Sequence, residues 1–133
     1  MAAAAPLTER QGEGAPVVAT LRKRADFLKA SRARRQPVPG FLLQARRRQP
    51  DEAGSGIRVG FTCSRKVGNA VTRNRAKRRL RAVARAVLPV AGRPGWDYVL
   101  VGRAGATVSR AWPDLLADLR RALADIHAGK RRP

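Results

Sequence analysis

Between Arg65 and Arg85 the chain reads RKVGNAVTRNRAKRRLRAVAR, nine cations without an acid. A like-charged run this dense is ordinarily a disordered tail. Here, however, Ala76, Leu80, Val83, Ala84 and Val87 recur at i, i+4, i+7, i+8 and i+11, the spacing of one helix face. The segment therefore reads as an amphipathic helix that needs an apolar surface beneath it. Asn69 stands where an N-cap belongs, and Pro89 predicts the end of the helix within a residue or so. With Leu80 at the centre of the buried face and roughly 100° per residue, Asn74, Arg78, Arg81 and Arg85 fall on the opposite side. Arg75 and Arg79 flank one edge and Lys77 the other. Arg73 lands near the stripe, but in the first turn, where it can project past the helix end.

The surface the helix needs is written as strands. IRVGFTCS, from Ile57, alternates Ile57, Val59, Phe61 and Cys63 against Arg58, Gly60, Thr62 and Ser64, a strand with one buried face. GFLLQARRR (Gly40–Arg48) reads as a strand ending in cations, and the short QPDEAGSG loop after it suggests an antiparallel pair with Ile57–Ser64. WDYVLVGR (Trp96–Arg103) has the aromatic and β-branched density of a strand covered on both faces. LRKRADFLKASR (Leu21–Arg32) reads as a short helix stopped by QPVPG. The last helix carries Pro113 in its first turn, with Leu115, Leu116, Leu119, Leu123 and Ile126 on one side. The predicted class is α+β, an α/β sandwich in the order α-β-β-α-β-α. Residues 1–20 read as a disordered extension, 21–128 as one domain and 129–133 as a basic tail.

Charge narrows the function. Lys and Arg number 29 against 9 Asp and Glu, a formal +20 at pH 7. Self-repulsion on that scale opposes a compact state unless a polyanion offsets it. Nucleic acid fits, because its phosphates release condensed counterions to bound Lys and Arg. An anionic membrane fits less well: the basic helix is backed by Ala and Val rather than Trp, Phe or Leu. The bland alternative, a solvated charged face, normally carries acids at i+4, and none occurs between Cys63 and Asp97.

Cys63 and His127 are single occurrences, so no disulfide within the chain and no Cys/His zinc site can be built from them. This suits a reducing, cytoplasmic setting. Cys63 reads as an inert core thiol and His127 as a surface residue. The scattered carboxylates do not resemble a two-metal nuclease centre. The reading is an RNA or DNA binder without protein chemistry of its own, rivalled by a structural ribosomal protein and a DNA-compacting protein.

Arg58–Arg81, RVGFTCSRKVGNAVTRNRAKRRLR, closely resembles the signature of the bacterial ribonuclease P protein family, centred on Arg73-Asn74-Arg75 after Gly-Asn-Ala-Val. The likeness extends more loosely through Ala25–Phe27, GFLLQ and WDYVLVGR to the last helix. It implies a left-handed βαβ crossover, against the general right-handed rule. It also implies assembly with a catalytic RNA that uses Mg²⁺ to cut the 5′ leader from precursor tRNA, with no protein partner required, no membrane and no catalytic residue or metal site in the protein. By position, Arg73, Asn74, Arg75, Lys77, Arg78 and Arg81 match the motif that contacts the RNA subunit. Arg65 and Lys66 match basic positions near the leader path, Phe27 an aromatic of the central cleft and Arg103 a basic residue after the last strand. Ser31 and Gln44 stand where family members often carry further aromatics, which weakens the expected stacking on the leader and leaves Phe27 either a leader contact or a core residue.

Overall fold

The computed structural model describes residues 18–52 and 54–129. Its elements are β1 (Val18–Thr20), α1 (Arg24–Ser31), β2 (Arg34–Pro37), β3 (Phe41–Arg47) and β4 (Ile57–Thr62). A 3₁₀ turn (Arg65–Val67) then leads into α2 (Ala70–Ala91), β5 (Trp96–Gly102), α3 (Ala106–Ser109) and α4 (Trp112–His127). The strands form one sheet in the order β1-β4-β5-β3-β2. The α+β class and the predicted sequence of larger elements hold.

The expected hairpin of β3 with β4 does not form. β5 lies between them, antiparallel to β3 and parallel to β4, with Tyr98 opposite Ala45 on one side and Val59 on the other. The reason is burial. Asp97, Tyr98, Val99 and Leu100 are inaccessible or nearly so, and a strand covered on both faces belongs at the middle of a sheet. Parallel neighbours need a long crossover, which α2 supplies.

Two edge strands also went unread. β1 falls within residues 1–20, assigned to a disordered extension; Val18–Thr20 pair in parallel with Ile57–Val59. The rest of that extension, and the tail beyond Gly129, lie outside the described residues. β2 was masked by its prolines, yet an edge strand tolerates a residue without an N–H, and Gln36 and Pro37 pair with Leu43 and Leu42.

The main core lies between one sheet face and the helix pair α2 and α4. Leu80, Val83, Val87 and Leu88 join Leu115, Leu119, Leu123 and Ile126 over Ile57, Phe41, Leu43, Tyr98 and Leu100. Each such side chain contributes about 1.5–3 kcal/mol on burial. The other face carries α1 and a smaller cluster of Leu21, Ala30 and Val99, with Phe27 and Val101 packed against it. Helix α2 runs two residues past Pro89, which stands in its last turn, where the lost bond is least disruptive.

Candidate nucleic-acid interface

The start of α2 is fixed locally. Asn69 caps it as expected, its Oδ1 accepting from the Thr72 N–H at 2.9 Å. Just upstream, the Ser64 hydroxyl accepts from the Lys66 N–H at 3.3 Å, and buried Val67 pins the 3₁₀ turn while Arg65 and Lys66 stay exposed. Because β4 and β5 are parallel, this turn and Arg103 emerge at the same end of the sheet. The Arg103 guanidinium donates to the Val38 carbonyl at 3.0 Å.

Along α2 the predicted stripe is buried, and Leu88 extends it. Asn74, Arg75, Arg78, Arg81 and Arg85 are exposed, while Arg73, Lys77 and Arg79 are half-buried. Two flank arginines are held by backbone: Arg73 Nη1 donates to the Gly68 carbonyl at 3.4 Å, and Arg79 Nη1 to the Thr107 carbonyl at 2.9 Å. Arg81 lies over the Phe61 ring, 5.5 Å from its centroid. Among the described residues, the ion pairs join Arg46 to Glu52, Arg48 and Arg58 to Asp97, Arg58 to Asp26, Arg110 to Asp118 and Arg121 to Asp125. None reaches an α2 cation. The outer face of α2 is therefore a ladder of positive charge without internal neutralisation.

The remaining site residue sits on the opposite sheet face. Phe27 lies against Gly60 so closely that a Cβ there would stand 2.5 Å from its ring. Only glycine leaves room for the ring. Ser31, which donates to the Leu28 carbonyl at 2.7 Å, and half-buried Gln44 occupy this side as well. Phe27 is thus a half-buried residue packed against the Leu21, Ala30 and Val99 cluster, separated by the sheet from the α2 stripe.

A buried charge cluster lies within the sheet, joining residues far apart in the sequence. Asp97, fully inaccessible, accepts from Arg48 Nη1 at 2.6 Å and from Arg58 Nε and Nη2 at 2.7 Å each. The Asp97 bond also raises the Arg58 pKa. The Arg58↔Asp97 register on adjacent strands is what joins them, and no local signal carries it.

His127 needs correcting too. It is not a surface residue: Nε2 lies 2.6 Å from the Tyr98 hydroxyl, and the ring meets Trp96 edge-on at 4.5 Å. Burial, helped by Arg93 and Arg34, lowers its pKa to about 4. Cys63 is half-buried beside Gly102, and desolvation raises its thiol pKa, which suits an unreactive side chain.

Among the described residues, no group of three His, Cys, Asp or Glu is placed to hold a metal ion, and no helix is long and apolar enough to cross a membrane. Fold and site together define an α+β scaffold presenting a cationic helix face that no carboxylate among the described residues pairs with. The sequence model of the Ribonuclease P family matches residues 16–127. The ribonuclease P protein component of Ruegeria pomeroyi is 66% identical over 113 residues, covering 85% of this chain and 90% of that one. That of Caulobacter vibrioides is 48% identical over 108 residues, covering 81% and 70%. The RNase P protein structure from Staphylococcus aureus superposes with a TM-score of 0.63 at 22% identity, covering 80% of this chain and 94% of that one, a likeness of fold. The chain belongs to the ribonuclease P protein family.

Proposed function

We propose that this chain is the protein subunit of ribonuclease P, holding the catalytic RNA on α2 and assisting removal of the 5′ leader from precursor tRNA. The observation that carries the reading is the outer face of α2, whose Arg75, Arg78 and Arg81 form no ion pair with a carboxylate among the described residues. Arg forks suit phosphate bidentately, and Asn74 between two arginines can address a base edge or sugar hydroxyl. Arg73 and Lys77 extend the same contact. The exposed Arg65, Lys66 and Arg103 at one end of the sheet add positive potential along the leader path, and Phe27 offers one ring to it. With Ser31 and Gln44 in place of aromatics, that path relies on charge more than on stacking, which is worth about 1–3 kcal/mol per base.

The carboxylates of the described residues do not fit a resident Mg²⁺: Asp97, Asp26 and Asp118 are spent on arginines. We assign the ion to RNA and substrate phosphates, and the hydrolysis to the RNA. The protein's part is to raise substrate affinity and lower the Mg²⁺ concentration the RNA requires. A cytoplasmic setting follows from that role.

Reconstitution tests it. At limiting Mg²⁺, leader cleavage by the RNA subunit should rise on adding this chain, whereas the chain without RNA should cleave nothing. An absence of stimulation counts against the subunit reading, and metal-dependent cleavage by RNA-free protein counts against placing the chemistry in RNA. Co-sedimentation with ribosomes without any effect on cleavage would favour a ribosomal role instead. Duplex DNA bound as tightly as the structured RNA at matched salt would favour a DNA-compacting one.

A further inference from the structure

We propose that the groove between β1 and α2 seats one unpaired nucleobase of the RNA partner, stacked on the Arg81 guanidinium with its phosphate on Arg85. The proposal rests on the RNA-binding reading above and adds a base-recognition point on the far flank of the same helix. The groove encloses about 190 Å³ and is lined by Thr20, Phe61, Arg81, Ala84, Arg85 and Pro89 among others. That is well below the roughly 300–1,000 Å³ of a drug-sized ligand pocket, a scale suited to a single ring system.

Four features make it more than a gap. The Arg81 guanidinium carbon lies over the Phe61 ring, 5.5 Å from its centroid, and the residue is exposed, so a base can approach the guanidinium from the side away from the ring. Ala84, buried and small, leaves the space that a longer side chain would fill. Pro89 has no N–H and so cannot give the Arg85 carbonyl its usual i→i−4 helical bond. Finally, β1 is an edge strand. The Leu21 N–H bonds the Val59 carbonyl at 2.8 Å, and alternation along a parallel ladder turns the N–H and C=O of Thr20 away from β4. A planar cation, a carbonyl without its usual helical donor and a strand that is an edge among the described residues, all around one small groove, match the face and edge of a base. A bare phosphate would use Arg85 and leave the rest idle, and an apolar peptide would have to bury two guanidiniums.

The test compares Arg81→Lys, which keeps the charge but removes the plane, with Arg120→Lys on the exposed side of α4 as control, in complexes of the full chain with the ribonuclease P RNA. Arg81→Lys should weaken binding about ten-fold, the scale of one lost base stack, without changing the salt slope. Arg120→Lys should change neither. In a second measurement on the wild-type chain, adenosine 5′-monophosphate should shift the amide resonances of Thr20, Phe61 and Arg85 at concentrations about five-fold lower than ribose 5-phosphate does. Equal responses to the two probes, or an Arg81→Lys complex as tight as wild type, would overturn the base site. If wild type stimulates cleavage while those outcomes hold, this inference alone falls; if wild type binds no ribonuclease P RNA, the functional reading falls with it.

Discussion

Around Asp97 two arginines are drawn inward by one carboxylate, whereas Arg75, Arg78 and Arg81 on α2 are exposed and, among the described residues, form no ion pair. Arg48, buried with its side chain 2% exposed, also donates to the carbonyls of Trp96 and Gly54, at 3.0 and 3.1 Å. Buried pairs like these repay their desolvation poorly, but breaking one strands a charge in the interior. The α2 arginines bury little and strand nothing. What separates the two groups is the position of an acid: the arginines beside Asp97 hold the sheet, and those on the outer face of α2 stay at the surface.

The largest expected effect comes from the inner group. Asp97→Ala should cost about 3–5 kcal/mol in urea unfolding, because Arg48 and Arg58 lose their common counter-charge. A loss under about 1 kcal/mol would erase the distinction. The outer group should behave oppositely. Arg75→Ala combined with Arg78→Ala should move stability by no more than about 0.5 kcal/mol, the usual range for surface changes. The same pair should weaken assembly with the RNA and flatten the salt slope by up to about one unit per lost phosphate contact. An unchanged slope would mean a merely solvated face.

A smaller effect concerns pH. His127 has its pKa lowered from 6.5 to about 4 among Tyr98, Trp96, Arg34 and Arg93. Between those values the unfolded chain binds a proton that the folded chain refuses, so stability falls as pH drops from 6.5 toward 4. His127→Gln should flatten thermal midpoints across that window; an undiminished slope would assign it elsewhere. The smallest effect belongs to the rim. Glu52, held by Arg46 at a pKa of about 2, sits in a loop, and Glu52→Gln should leave the thermal midpoint at pH 7 unchanged. A clear drop would show that even peripheral arginines belong to the structural group.

Helix α2 was legible because its evidence is local: Asn69, the apolar stripe and the absence of acids all lie within one segment. The class of the fold was legible for the same reason, as were the two-sided burial of Trp96–Gly102 and the cationic face. The hairpin of β3 and β4 was misread because chain proximity argued for it, while the competing demand, two covered faces on β5, is settled only when the whole sheet assembles. β1 and β2 were missed because edge strands are short and accept proline, so their signal resides in their neighbours. His127 looked superficial because its partners Trp96 and Tyr98 are about thirty residues away.

The sequence by itself determined that a cationic amphipathic helix must lie on a small sheet, since periodicity and charge pattern are properties of consecutive residues. Which arginines are consumed inside and which remain free was decided only by tertiary structure. Electrostatic pairing depends on distances across strands, and the register that sets Arg58 beside Asp97 exists only once β4 and β5 are neighbours.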